Sequence, residues 1–174
     1  LFTCLSILDP YTEVIIPEPY YPNYTTFVHA AGGVIRALPT NPWEGYRYAD
    51  RERIESLITP NTRAILITNP GNPTGVVLDE TEMRMIADIA KKHNLFLICD
   101  EVYREFCYDD KFGVPTMARF RDIDENLVIV DSVSKRFSAC GARVGCVVTL
   151  NKQLQAALLK FCQCRLSVAT VDQV

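Results

Sequence analysis

The amino-acid sequence predicts an α/β fold, a doubly wound and mainly parallel sheet with helices on both faces. Three continuous apolar runs carry this prediction, at residues 64–67, 95–99 and 127–130. Runs without polar alternation are typical of strands that are covered on both faces. Helix patterns lie between the strands, and this alternation of strand and helix favours a parallel sheet.

Turn residues and apolar spacing predict the elements of the N-terminal half. Residues 1–8 resemble the end of an apolar helix, which terminates before Pro10 because proline disfavours helix in the residue before it. The predicted elements that follow are a strand at 14–16, a Pro- and Tyr-rich loop at 17–24, a helix at 25–31, a strand at 34–38 and a polar connection at 41–48. Asp50 then caps a helix whose apolar face contains Ile54 and Leu57.

The C-terminal half contains the clearest helix signal of the chain. Asp79 and Glu82 form a capping-box pattern at its start. The predicted elements beyond residue 99 are a loop with one short helix at 106–121, strands at 127–130 and 144–149, and a helix after Asn151 that buries Leu154, Leu158 and Phe161. The strand at 144–149 follows its predecessor too closely for a helical crossover, so we expect it to run antiparallel.

The composition describes a globular chain and argues against several classes of partner. The 174 residues are enough for one domain with its own core. The net charge is -3 and no basic stripe is present, which argues against nucleic acid as the main partner. No apolar stretch is long enough to cross a membrane, so a membrane partner is not expected either.

The cysteine and histidine pattern predicts neither a disulfide framework nor a metal site. The seven cysteines are scattered and odd in number, and Cys99 lies inside an apolar run. This pattern is typical of reduced thiols in the cytoplasm. His29 and His93 have no metal-ligand spacing to a cysteine pair, so no metal centre is expected.

Three polar loops follow the three buried runs. Asn72 lies in the first loop, within Asn-Pro-Gly-Asn-Pro-Thr-Gly at 69–75, and Asp100 and Tyr103 begin the second. Lys135 lies in the third loop, after Ser-Val-Ser. Parallel strands direct these loops to one edge of the sheet, which is where open α/β sheets bind ligands.

The residue types in these loops suit a phosphorylated carbonyl ligand. The amine of Lys135 can form a Schiff base with a carbonyl, and the hydroxyl of Ser132 and the guanidinium of Arg143 suit a phosphate. Asp100 follows five apolar residues, so its carboxylate needs a partner such as a cationic ring nitrogen. Each loop alone also fits an ordinary turn, a strand end or a solvated lysine; their combination favours a site.

The order and spacing of four motifs resemble the class I/II aminotransferases, which are fold-type-I enzymes that use pyridoxal 5'-phosphate (PLP). The motifs are Asn-Pro-Gly-Asn-Pro-Thr-Gly, Asp-Glu-Val-Tyr, Ser-Val-Ser-Lys and Gly-Ala-Arg-Val-Gly. The resemblance implies transamination between an amino acid, with an aspartate-like donor among the candidates, and a 2-oxoacid. It also implies a cytoplasmic homodimer.

The resemblance assigns catalytic roles to three residues. Lys135 resembles the lysine that binds PLP covalently and then moves the proton at the substrate Cα. Asp100 resembles the carboxylate that keeps the pyridine nitrogen protonated, which makes the ring an electron sink. Tyr103 resembles the tyrosine that hydrogen-bonds the ring hydroxyl.

Four further residues match cofactor-binding positions of the family. Asn72 resembles the partner of the tyrosine at the ring hydroxyl. Ser132 and Arg143 resemble phosphate ligands. Tyr21, by its place in Pro-Tyr-Tyr-Pro-Asn-Tyr, resembles the aromatic residue that stacks on the ring.

The resemblance also implies that residues 1–174 are an incomplete PLP-binding large domain. The Gly/Ser-rich phosphate loop of the family opens the first helix, and the chain begins inside that helix. The arginine that binds the substrate α-carboxylate belongs to a C-terminal segment beyond this chain. We therefore expect the 174-residue piece alone to be inactive.

Three alternative functions share some of these features. A PLP-dependent carbon–sulfur β-lyase carries the same motifs, and a PLP-sensing transcription regulator carries a similar domain behind a DNA-binding one. A nucleotide-binding Rossmann protein is disfavoured, because the chain has neither Gly-x-Gly-x-x-Gly nor a P-loop.

Overall fold

The computed structural model describes residues 1–109 and 115–166 and contains one six-stranded sheet. Its strands are β1 (Glu13–Pro17), β2 (Val34–Leu38), β3 (Thr62–Thr68), β4 (Phe96–Asp100), β5 (Leu127–Ser132) and β6 (Gly145–Val148). The strand order is β2-β1-β3-β4-β5-β6. All neighbouring pairs are parallel except β5 and β6, which are antiparallel. The predicted doubly wound sheet and its antiparallel strand are therefore confirmed.

Side chains of the central strands alternate between two separate hydrophobic cores. In β3, Ile65 and Ile67 belong to one core, whereas Ala64 and Leu66 belong to the other. Successive side chains of a strand point to opposite faces, so an uninterrupted apolar run supplies both cores at once. This explains why the central strands show no polar alternation.

The described residues contain six α-helices, and all but the shortest one pack on the two faces of the sheet. They are α1 (Phe2–Ile7), α2 (Asn23–Ala30), α3 (Arg51–Ser56), α4 (Glu80–Lys92), α5 (Val133–Arg136) and α6 (Lys152–Arg165). Buried residues of α3 and α4 belong to one core, and buried residues of α1, α2 and α6 belong to the other. The predicted capping box of α4 is present, since the Glu82 amide donates to Asp79 at 2.8 Å and the Asp79 amide donates to Glu82 at 2.9 Å.

The structure moves one predicted helix boundary in a way that matters for the site. The predicted loop at 17–24 is shorter, because α2 begins at Asn23. Pro22 occupies the N-cap with helical dihedral angles (φ -54°, ψ -31°), and the fixed φ of proline suits the start of a helix. Tyr24 therefore lies in the first turn of α2 and not in a loop.

Three further predictions are corrected. Lys135 lies on the short helix α5 and not in a loop. The segment 106–121 was predicted to hold one short helix, but its described part contains three-residue 3-10 turns, and residues 110–114 lie outside the described residues. Phe161 is only half-buried and stacks on Phe2, with ring centroids 5.8 Å apart.

The sheet edge at β6 depends on a close approach between backbones. A Cβ added at Gly145 would lie 3.0 Å from the carbonyl oxygen of Asp131, a tight contact that favours glycine where β6 pairs with β5. All four residues of β6 are exposed. In the described part of the chain, no strand pairs with the outer edge of β6.

Two findings bear on the predictions from composition. All seven cysteines are free thiols, and Cys99 is fully buried in β4. Among the described helices, none combines the length and the apolar character that a membrane crossing requires.

The packing of the core predicts the effect of shortening a buried side chain on α4. Ile86 is fully buried, so Ile86→Ala should lower the free energy of unfolding by about 2–5 kcal/mol. Leu159→Ala on α6 is the control, because Leu159 is 58% exposed and its loss should cost less than about 0.5 kcal/mol. Urea unfolding of both variants measures the difference, and equal losses would contradict the assignment of Ile86 to the core.

Candidate active site

The predicted site residues converge on one cavity at the carboxyl edge of β3, β4 and β5. Its volume is about 320 Å³, within the range of small-molecule sites. The lining contains every residue that the sequence predicted for the site, namely Tyr21, Asn72, Asp100, Tyr103, Ser132, Lys135 and Arg143. It also contains Tyr24, Thr68, Val102, Val130, Asp131, Ser134 and Cys140. The prediction that the three loops meet at one edge is therefore confirmed.

Asp100 places a buried carboxylate at the end of β4. Its Oδ2 accepts a hydrogen bond from the hydroxyl of Tyr24 at 2.6 Å, and its Oδ1 accepts from the amide of Val102 at 3.1 Å. Burial raises the pKa of Asp100 and the charge of Asp131 adds to this, whereas the two hydrogen bonds lower it. The carboxylate is thus held in place while burial favours a cationic partner.

Tyr24 is a site residue that the sequence analysis missed. Besides Asp100, its hydroxyl contacts Oγ1 of Thr68 at 2.8 Å. Burial raises the pKa of Tyr24, and the neighbouring charge of Asp100 raises it further, so the phenol stays protonated and donates. The sequence signal that could have placed Tyr24 in a helix is its position two residues after Pro22, the N-cap of α2.

Lys135 lies on α5, directly after the strand that forms the cavity wall. The hydroxyl of Ser132 caps this helix by accepting from the amide of Ser134 at 2.9 Å, which fixes the turn from β5 into α5. The Lys135 Nζ lies 6.0 Å from the ring centroid of Tyr103. Within residues 1–109 and 115–166, Lys135 forms no ion pair.

The loop that carries Asn72 is held by a buried residue that the sequence analysis treated only as part of a turn. Asn69 is 2% exposed, and its Oδ1 accepts from the amide of Leu78 at 3.0 Å. This contact joins the two ends of the loop. Asn72 consequently reaches Tyr103, with 3.5 Å between Nδ2 and the phenol oxygen, at the long limit of a hydrogen bond.

Hydroxyl groups and a guanidinium lie at the α5 end of the cavity. The Ser132 hydroxyl donates to the Ser134 hydroxyl at 2.6 Å. Arg143 has a left-handed backbone (φ 58°), and its Nη1 donates to the carbonyl oxygen of Cys140 at 2.7 Å. Such donors can together hold an anion.

Of the two neighbouring tyrosines in the loop after β1, only Tyr21 lines this cavity. Its ring meets Tyr24 edge-on, with centroids 5.6 Å apart at 84°, and it is 39% exposed. Tyr20 instead stacks on Tyr24, with ring centroids 6.4 Å apart, and lines other cavities. The sequence prediction that chose Tyr21 for contact with a flat ligand agrees with this placement.

Comparisons with known proteins agree with the geometry. The family Aminotransferase class I and II matches residues 1–170. A probable aspartate/prephenate aminotransferase of Thermus aquaticus is 39% identical over 80% of the chain and 35% of its own length. A putative aminotransferase of Bacillus subtilis is 37% identical over 91% of the chain and 40% of its own length.

Solved structures give the same result for the fold. An aspartate aminotransferase from Thermotoga maritima superimposes with a TM-score of 0.91 at 30% identity, covering 99% of this chain and 45% of that one. An aspartate aminotransferase variant from Thermus thermophilus gives a TM-score of 0.89 at 31% identity, covering 99% and 44%. These proteins share the mainly parallel sheet with flanking helices.

The chain belongs to the class I and II aminotransferase family. It spans between about a third and a half of the length of the relatives it matches.

The hydrogen bond between Tyr24 and Asp100 predicts a change in titration. Tyr24→Phe removes a donor that stabilises the carboxylate, so the pKa of Asp100 should rise above its present, already raised value. Tyr20→Phe is the matched control, since its hydroxyl does not contact Asp100. Carbon-13 NMR titration of the Asp100 carboxyl group measures the pKa, and an unchanged value in Tyr24→Phe would contradict the assigned role.

Proposed function

We propose that the protein to which this chain belongs catalyses PLP-dependent transamination between an amino acid and a 2-oxoacid. One observation carries the proposal: an amine that forms no ion pair with the described residues, a buried carboxylate and a guanidinium line the same cavity at the sheet edge. Membership of the aminotransferase family supports the same reaction class.

The residues around the cavity fit the proposed cofactor. Ser132 and Arg143 offer hydroxyl and guanidinium donors to a phosphate, and Asp100 offers a buried carboxylate to a protonated pyridine nitrogen. Tyr21 offers one partly exposed aromatic face. When bound, PLP supplies an electron-accepting ring that stabilises the negative charge left by removal of a proton from the substrate Cα.

Lys135 has two roles in this proposal. Its Nζ would hold the cofactor by condensing with its aldehyde group, with water as the leaving group, since a lysine amine in a partly enclosed site is a nucleophile towards carbonyl groups. Once released by the incoming amino acid, the same amine would move the proton at the substrate Cα. The absence of an ion pair to Lys135 among the described residues supports both roles.

The other residues orient the cofactor and adjust its charge. The Asp100 carboxylate would hold a proton on the pyridine nitrogen, and the hydrogen bond from Tyr24 would keep this carboxylate ionised. Tyr103 and Asn72, which already approach each other, would donate to the ring hydroxyl. The pyridine nitrogen and the ring hydroxyl would thus each have hydrogen-bonding partners from this chain.

We also propose that residues 1–174 are part of a PLP-binding large domain in a cytoplasmic homodimer. The chain spans 35% and 40% of the length of two relatives, which supports further segments in the complete protein. An aspartate-like amino acid is the proposed donor, because relatives in Thermus are named for aspartate and prephenate.

Chemical trapping tests the role of Lys135. Borohydride reduction of the PLP-loaded complete protein, followed by peptide mapping, should place the pyridoxyl group on Lys135. Lys152→Ala, at an exposed lysine outside the cavity, should leave this labelling unchanged, whereas Lys135→Ala should abolish it. Labelling of Lys91 or Lys92 instead would overturn the assignment.

Product analysis separates transamination from the carbon–sulfur lyase reaction. With aspartate and 2-oxoglutarate, the complete protein should form glutamate only when the oxoacid is present. With cysteine or cystathionine, a lyase would instead release ammonia and pyruvate without any oxoacid. Pyruvate release as the main activity would replace the proposed function by the lyase.

A further inference from the structure

Glu101 belongs to the Asp-Glu-Val-Tyr motif, but the proposed reaction gives it no role. It is a buried carboxylate, with 1% of the residue exposed. Its Oε1 accepts hydrogen bonds from the amide of Met117 at 2.8 Å and from the hydroxyl of Thr116 at 3.2 Å. Its Oε2 lies 3.2 Å from Nη1 of Arg104, with which it forms an ion pair. Both carboxylate oxygens therefore have partners.

Strand alternation explains why Glu101 lies away from the cavity. Successive side chains of a strand point to opposite faces of the sheet. Asp100 contacts Tyr24, which belongs to one core, whereas Glu101 contacts Met117, which belongs to the other. The two consecutive carboxylates therefore have different surroundings: Asp100 lines the cavity, and Glu101 does not.

The contacts of Glu101 fix a geometry more than they stabilise the fold. Burial raises the pKa of its carboxyl group, whereas the donors from Met117, Thr116 and Arg104 lower it. A buried ion pair stabilises a protein little more than apolar side chains of similar size would. The donors on both oxygens nevertheless hold the carboxylate in one orientation, which apolar side chains cannot do.

Tyr103 lies in the turn that this carboxylate holds. The amide of Arg104 donates to the carbonyl oxygen of Glu101 at 2.9 Å, so the ends of the turn at 101–104 meet through both backbone and side chains. Among the described residues, the phenol oxygen of Tyr103 has one hydrogen bond, the 3.5 Å contact with Asn72. A contact this long fixes little, so the position of the phenol depends on the turn.

We propose that Glu101, paired with Arg104, is a positioning residue that holds the phenol of Tyr103 at the cavity wall. The significance of this position for the ring hydroxyl of the cofactor rests on the proposed function. Arg104 also lies 3.4 Å from Oδ2 of Asp131, at the end of β5. The turn after β4 is thus tied to the neighbouring strand as well.

Nuclear Overhauser measurements on the cofactor-free complete protein test the proposal. In protein with carbon-13-labelled tyrosine rings, the cross-peak between the Tyr103 ring and the Asn72 side-chain amide is identified by its absence in Tyr103→Phe. Glu101→Gln keeps the size of the side chain but directs an amide group at the guanidinium or at the Met117 amide, which are both donors. This variant should lose the cross-peak while remaining folded in circular dichroism.

Variants of Arg104 keep the test decisive if Glu101→Gln does not fold. Arg104→Gln removes the cation from the pair and should also lose the cross-peak. Arg104→Lys keeps a positive charge and should retain more of it. A cross-peak of parental intensity in Arg104→Gln, or in a folded Glu101→Gln, would overturn the proposal.

Glu105→Gln is the matched control. Glu105 also approaches Arg104, with 3.5 Å between Oε1 and Nε, but its side chain is 46% exposed. The same chemical change at this position should leave the cross-peak unchanged. Equal losses in Glu105→Gln and Glu101→Gln would contradict the proposal, since the buried pair would then have no special effect on Tyr103.

Cofactor affinity separates positioning from general structural damage. Equilibrium dialysis compares the binding of PLP with that of a PLP analogue that lacks the ring hydroxyl. Glu101→Gln should weaken PLP binding by about 10-fold, as expected for a misplaced hydrogen bond to a charged oxygen, and analogue binding by less than about twofold. Equal losses for both ligands would overturn the proposal, because Glu101 would then only maintain the fold. If the parent protein does not bind PLP, the proposed function fails, while the cross-peak still decides the role of Glu101.

Discussion

Burial of the central strands on both faces is the constraint on which the rest of the structure depends. A strand between two apolar cores cannot carry polar side chains along its length, because a buried polar group without a partner is costly. Polar and charged side chains therefore lie at the point where each strand leaves the cores. In β4 this point is Asp100, and in β5 it is Asp131 and Ser132.

Asp100 and Asp131 both lie at this edge of the sheet, and the two carboxylates have different partners. Asp100 is stabilised by neutral donors from Tyr24 and Val102, whereas Asp131 is stabilised by the positive charges of Arg104 and Arg136. The first arrangement holds a carboxylate with neutral donors only, whereas the second pairs a carboxylate with two guanidinium groups. The same residue type thus has different kinds of partner at two neighbouring strand ends.

The sequence allowed most of the fold to be predicted because its signals are local. Apolar runs located the central strands, and Asp79 with Glu82 located α4. The hydrogen bond between Tyr24 and Asp100 joins residues that lie 76 positions apart, so no local sequence pattern predicts it. Arg104 and Arg136 likewise resemble ordinary solvated charges until β4 and β5 bring them together.

Strand β6 has a consequence for the behaviour of this chain in solution. Its four residues are exposed, two of them are valines, and in the described part of the chain its outer backbone groups have no strand partner. An open apolar edge is a template for strand addition, which proteins usually block with charge, proline or a covering segment. None of the four β6 residues is charged or a proline, so the colloidal stability of the isolated chain should decrease steeply with concentration.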